Sequence, residues 1–239
     1  ARLDTDQPFY GVQAAGLDGE QAPDTTIEAM AMRYLAALQE RQPHGPYYLG
    51  GWSLGGVIAF EVARQIHEQG QEIGALVLID SYLTRPDAQT TQLDLLADFA
   101  LQLGLTEEQI TFLQDDQLLE QDMNTAFTYA LERLQQAHAL PAELNAAQLR
   151  DRFEVFRAHT EAMNIYQPRP FAGQITVIQS QHGSEHTDLT ATWAPLARGM
   201  TYHRLPGTHF SMIREPDVAE LAGLLTDCLA RPSIAATDS

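Results

Sequence analysis

Residues 45–82 read GPYYLGGWSLGGVIAFEVARQIHEQGQEIGALVLIDSY, and the fold turns on this stretch. GPYYLGGWS is short, aromatic and apolar, as a buried strand is. LGGVIAFEVARQIHEQG carries helical apolar spacing and closes on Gly70, whose freedom at positive φ suits a helix end. GALVLIDSY is again a buried strand, rich in branched residues. Strand, helix and strand in this order define a parallel βαβ unit. Ser53 stands where the first strand meets the helix, flanked by Gly51 and Gly55.

Outward from this unit, PFYGVQA at residues 8–14 reads as a strand. DTTIEAMAMRYLAALQERQP reads as a helix with apolar residues at Ile27, Met30, Tyr34 and Leu38, opened by a capping box of Thr25 and Glu28. Downstream, from Leu83 to about Pro168, the text is helical: TQLDLLADFALQLGL, FTYALERLQQAHAL and AAQLRDRFEVFRAHTEAMNIYQP. Strand text resumes at GQITVIQS and MTYHRLPG, and EPDVAELAGLLTDCLARP closes the chain as a helix. The pattern predicts one α/β domain with a mostly parallel sheet, a core over 1–83 and 169–239, and a helical insertion over about 84–168.

Composition removes several function classes. The 239 residues carry a formal charge of −18, which argues against a nucleic-acid partner because that affinity comes from Lys and Arg neutralising phosphates. All 14 basic residues are arginine. The lack of lysine excludes a P-loop lysine, a pyridoxal Schiff base and a lysine general base. The single cysteine, Cys228, lies on the apolar face of the last helix, where a buried structural thiol is expected, so no disulfide can form within the chain. No apolar run approaches the ~18 residues of a membrane span and no signal peptide is evident, so a cytoplasmic location is expected.

Gly51-Trp52-Ser53-Leu54-Gly55 fits G-x-S-x-G, and its context of strand before and helix after matches a nucleophile turn. A turn this sharp strains the serine backbone, and flanking glycines relieve Cβ clashes. It also holds Ser53 at the N-terminus of a helix, where free N–H groups favour negative charge. A glycine-rich turn with an incidental serine is the bland alternative. A serine nucleophile needs a histidine base and an acid that orients it. His209, in LPGTHFSMIREP after a strand and before the last helix, stands where an α/β-hydrolase histidine belongs. The acid has two candidate places at the carboxyl ends of strands. One is Asp80, which ends ALVLID; the other is the loop after QITVIQS, with Gln181, His182, Gly183, Ser184 and Glu185, and Asp188 later. Asp80 is preferred, because a carboxylate closing a buried strand requires a partner and His209 supplies one. His182 and His186 have the i, i+4 spacing of a helical zinc site, but they sit in loop text without an adjacent third ligand, so no metal is expected.

With Ser53, Asp80 and His209 assembled, the chain resembles the thioesterase domains that terminate nonribosomal peptide synthetases, α/β-hydrolases related to the releasing domains of polyketide and fatty acid synthases. Residues 45–82 and PGTHFSMIREP carry the resemblance, which is strong over 8–84 and from about 172 onward. The helical insertion matches in position and character without a motif. Trp52 before the serine looks more like peptide-synthetase domains than like stand-alone editing thioesterases or lipases, which more often have histidine there.

The resemblance implies that Asp80, after the strand that follows the nucleophile helix, is the acid. It implies an acyl or peptidyl chain delivered as a phosphopantetheine thioester by an upstream carrier protein, an acyl-enzyme on Ser53, and release by hydrolysis or macrocyclisation. It also implies a lid in the insertion and no cofactor bound by the domain itself. The Leu54 backbone N–H supplies one oxyanion donor. In this family the loop giving the second donor precedes the PFYGVQ strand, and residues 1–7 have no room for it, so the N-terminal strands are expected to lie outside this chain, with weak hydrolysis as the consequence. The alternatives are a stand-alone editing thioesterase or carboxylesterase, or a non-catalytic carrier-binding module; the intact set of three residues speaks against the last.

Overall fold

Branched, apolar runs bury both faces of the central strand and of the end of the one beside it, over Ile73–Ile79 and residues 177–180, and the fold follows from how those faces are covered. The computed structural model describes residues 8–83, 91–106, 108–114, 121–136, 145–182 and 188–230. Four strands form a sheet in the order β1 (Tyr47–Trp52), β2 (Ile73–Ile79), β3 (Phe171–Ser180) and β4 (Ala197–Leu205), with every neighbouring pair parallel. Helix α1 (Ile27–Arg41) precedes β1, and α2 (Leu54–Glu68) joins β1 to β2 as the βαβ crossover. A five-residue helix, α6 (Leu189–Trp193), lies between β3 and β4, and α7 (Val218–Ala230) follows β4. Among the described residues, the helices between β2 and β3 are α3 (Gln92–Gln102), α4 (Met123–Gln136) and α5 (Ala146–Ile165), with a 3₁₀ turn at Glu108–Gln114.

Successive side chains of a strand point to opposite faces. Leu76 and Leu78 of β2 and Ile175 and Val177 of β3 therefore join one cluster, with Ile27 and Met30 of α1, Phe60 and Ile66 of α2, and Trp193. Val77, Ile79 and Ile178 join the opposite cluster with Met212 and Leu221, against which Cys228 packs, partly buried. Burial pushes the Cys228 thiol above its ordinary range.

The described residues fall into two compact units, one drawn from the chain up to Val12, Thr25–Thr84 and Ala162–Ser239, the other from Gln13–Asp24 and Arg85–Glu161. The second has its own apolar core, in which Phe153 packs against Phe99 and Phe127 at centroid distances of 5.3 and 4.9 Å.

Two expectations need correction. Residues 8–14 form no strand; Phe9, Tyr10 and Val12 are 59, 70 and 52% exposed. An apolar run becomes a strand only when a neighbour accepts its hydrogen bonds, and none of the described strands does. The cap of α1 is Thr26, with φ −137° and ψ 148°, whose hydroxyl accepts from the Ala29 amide at 3.2 Å. Tandem threonines offered two frames, and the helix takes the one that opens on the fully buried Ile27.

Candidate active site

The carboxyl ends of all four strands contribute to one site. The Ser53 amide donates to the Ile79 carbonyl at 2.8 Å, and the Asp80 amide donates to that of Ile178 at 2.7 Å, so each ladder extends one residue past its strand. At that point the backbone turns sharply. Ser53 has φ 55° and Asp80 φ 47°, the two positive-φ non-glycine residues among those described. Such geometry costs of order 1–3 kcal/mol and persists where the surroundings impose it.

The glycines around Ser53 divide the work differently from the motif. A Cβ on Gly51 would lie 2.1 Å from the Gly55 carbonyl carbon and oxygen, and one on Gly56 would lie 1.9 Å from Ser81 Oγ. A Cβ on Gly55 would meet nothing within 4 Å. The close approach of α2 to β1 and to Ser81 after β2 therefore requires Gly51 and Gly56, whereas the second glycine of the motif stands in open space.

Asp80 is 0% exposed and accepts four hydrogen bonds. Oδ1 takes the Ser180 amide at 2.8 Å and the Tyr82 hydroxyl at 3.0 Å; Oδ2 takes the Ser180 hydroxyl at 2.8 Å and faces His209 Nδ1 at 2.8 Å. Burial alone would raise this carboxyl, but the bonds from His209 and Ser180 outweigh it and hold the group below the usual carboxylate range. Tyr82, half-buried beside that negative charge, is pushed up to about 12 and stays a donor. Sequence reasoning missed Ser180 and Tyr82. Both lie in quoted strand text, but nothing local distinguishes a serine that ends one strand and bonds to the residue after another.

His209 sits in a turn held by its neighbours. The Thr208 amide donates to Ser211 Oγ at 2.9 Å, the Ser211 amide to Thr208 Oγ1 at 3.2 Å, and the Ser211 hydroxyl to Asp217 at 2.7 Å. Before them Gly207 has φ 93°, and a Cβ there would sit 2.3 Å from Asp217 Oδ2. With Nδ1 committed to Asp80, the ring leaves Nε2 for another partner. Among the described residues no hydrogen bond joins Ser53 Oγ to that ring, a spacing common before substrate binds. Leu54 opens α2, so its amide is one of those a helix leaves without an internal acceptor.

The alternative acids are placed otherwise. Asp188 caps α6, its Oδ1 accepting the Thr190 amide at 2.8 Å and the Ala191 amide at 3.3 Å. Gly183, Ser184, Glu185 and His186 lie outside the described residues. Among the described residues no group of three His, Cys, Asp or Glu could hold a metal, and no helix is long and apolar enough to cross a membrane.

A second buried polar group braces the nucleophile-bearing helix. Glu61 of α2 accepts from Arg64 Nε at 2.7 Å, Gln65 at 2.9 Å and the Tyr166 hydroxyl at 2.9 Å. Burial opposes the Glu61 charge, yet these bonds keep its carboxyl below the ordinary range.

The family model of the Thioesterase domain matches residues 1–227. Chondramide synthase cmdD of Chondromyces crocatus is 28% identical over 92% of this chain and 6% of its own length. Polyketide synthase PksR of Bacillus subtilis is 49% identical over 31% of the chain and 3% of its own. The chain therefore spans only a small part of the curated relatives it matches. Among solved structures, a holo four-domain nonribosomal peptide synthetase superposes with TM-score 0.76 at 27% identity, covering 90% of this chain and 17% of that one. The RedJ thioesterase of the prodiginine pathway in Streptomyces coelicolor superposes with TM-score 0.61 at 23% identity, covering 91 and 79%; that likeness concerns the fold. The architecture is that of an α/β-hydrolase. A site at the strand ends, a strained serine between β1 and α2, and a family match over nearly the whole sequence agree: the chain belongs to the thioesterase domain family.

Proposed function

We propose that the chain releases the product of a biosynthetic assembly line, taking an acyl or peptidyl chain from the phosphopantetheine arm of an upstream carrier domain onto Ser53. The observation that carries this reading is the buried Asp80 bonded to His209 Nδ1, beside a serine held at φ 55°. The multidomain relatives support the carrier as partner.

His209 Nε2 takes the proton of Ser53 Oγ as that oxygen bonds to the thioester carbonyl carbon. The carbonyl oxygen becomes an oxyanion, and the Leu54 N–H is the donor we assign to it. Collapse breaks the C–S bond, and His209 passes its proton to the departing sulfur, leaving a free thiol and an acyl ester on Ser53. Water, or an amine or hydroxyl of the chain itself, then gives a proton to His209 and attacks the ester. The second collapse returns that proton to Ser53 Oγ and frees an acid or a ring. Asp80 holds the imidazole in the tautomer with Nε2 free and steadies the imidazolium. In the same reading residues 84–168 serve as the lid, supported by the described helices α3, α4 and α5 and their insertion between β2 and β3. The domain requires no cofactor of its own.

The test is intact-protein mass after exposure to a peptidyl pantetheine thioester. An acyl adduct present in wild type and absent in Ser53→Ala is expected, and the product mass separates acid from ring. Absence of an adduct from folded wild-type protein would refute the reading. Equal turnover of simple esters and the pantetheine thioester would point instead to a carboxylesterase.

A further inference from the structure

Trp52 ends β1 directly before Ser53, yet it makes its polar contact with a residue 157 positions away. Its indole N–H donates to the His209 backbone carbonyl at 3.0 Å. The same indole lies over the His209 ring, with centroids 4.6 Å apart and planes inclined by 25°. Phe210 meets both rings edge-on, at 5.0 Å from His209 and 5.8 Å from Trp52. One side chain therefore grips His209 by its main chain and its imidazole together. From the sequence Trp52 served only as a family marker.

Resting on the thioesterase reading, we infer that Trp52 is a positioning residue for His209: its N–H fixes the turn that carries the histidine, and its face stabilises the imidazolium formed during proton transfer. An aromatic face within about 6 Å of a cation attracts it through the ring quadrupole. The indole cannot slide off the imidazole, because the hydrogen bond anchors one edge of it to the same residue. Among the described residues, the titratable groups facing the ring are Asp80 and Tyr82, whose ring centroid lies 6.0 Å away; both belong to the connection after β2. Trp52 and Phe210 supply its apolar surroundings. Because Trp52 and Ser53 are adjacent on the chain, the indole also couples the orientation of the base to the turn that presents the nucleophile.

The experiment compares wild type with Trp52→Leu, which loses both contacts, and Trp52→Phe, which keeps a ring face without the N–H. Turnover of a pantetheine thioester is followed across pH, with thermal unfolding as the check on folding. Losing the face weakens the imidazolium, so His209 releases its proton at lower pH. In Trp52→Leu the acid limb of kcat/KM should move down by about half a pH unit. That variant should also lose about tenfold in kcat with KM within about twofold, the scale of one hydrogen bond and one ring contact. Trp52→Phe should keep the wild-type limb and lose only a few-fold. A folded Trp52→Leu protein with wild-type kcat and acid limb overturns the inference. Equal losses in both variants with the limb unmoved also overturn it, leaving Trp52 a purely structural role.

Failure of the thioesterase reading is recognised separately, by the absence of an acyl adduct on wild-type Ser53. The Trp52 question remains decidable in that event, because the His209 ring can be titrated by ¹⁵N NMR in Ser53→Ala without turnover. A lower midpoint when Trp52→Leu is added supports the inference; an identical midpoint overturns it.

Discussion

Asp80→Asn isolates the charge and tautomer control of the site with almost no change in shape. The Ser180 amide is an obligate donor and the Tyr82 hydroxyl points at the same oxygen, so the asparagine must keep its carbonyl on that side. Its NH₂ then faces the Ser180 hydroxyl and His209 Nδ1. The hydroxyl can rotate to accept, but Nδ1 can accept only if the imidazole carries its proton on Nε2. That tautomer cannot take a proton from Ser53. The expected loss in kcat is ~10³–10⁴-fold, the range in which an intact triad with the wrong tautomer operates. Stability should fall by about 2 kcal/mol, because charge-assisted bonds become neutral ones, or ~4–8 °C in Tm. Pantetheine thioester turnover and the rate of capture by a fluorophosphonate should decline in parallel, since both require an activated Ser53. A folded Asp80→Asn protein retaining kcat within about tenfold of wild type would refute the reasoning and return the acid to the loop after β3. Asp188→Ala, made alongside, should lose only its cap on α6 and keep kcat.

Gly55→Ala should be tolerated or slightly stabilising, since its Cβ meets open space in a helix and alanine is the better helix former by ~1 kcal/mol; Gly56→Ala should unfold at markedly lower temperature, because its Cβ would fall 1.9 Å from Ser81 Oγ. Thermal unfolding of the pair checks this, and equal Tm values would contradict the packing of α2 on β1 and on Ser81. Acid sensitivity follows from the depressed carboxyls of Asp80 and Glu61. Each binds fewer protons folded than unfolded between its folded pKa and the unfolded value near 4, so the stability it contributes is present above that value and lost as pH falls through the folded pKa. Denaturant midpoints from pH 7 to 2 should fall less steeply in Asp80→Asn than in wild type; matching slopes would mean that Asp80 is not depressed.

The βαβ unit of residues 45–82 was legible because every decision in it is local: buried strands read as apolar runs, α2 as helical spacing closed by Gly70, and the Ser53 turn as glycines between the two. His209 was legible from its place in the order of elements. Thr25 against Thr26 was a choice of frame that only the fold resolves, the helix opening on the buried Ile27. Residues 8–14 looked like a strand because apolar alternation records a preference for extended backbone, whereas pairing depends on a partner elsewhere.

The sequence by itself determined the βαβ unit with its serine turn, the function classes that a chain without lysine and with one cysteine cannot serve, and the family. Only the tertiary structure decided which carboxylate meets His209, that Ser180 and Tyr82 hold that carboxylate, that Gly56 rather than Gly55 admits the close approach of α2 to β1 and to Ser81, and that Trp52 grips the histidine. The division has one physical cause. Local backbone preference is written in neighbouring residues, but a hydrogen bond between residues 80 and 180, or 52 and 209, exists only once parallel strands have brought their carboxyl ends together.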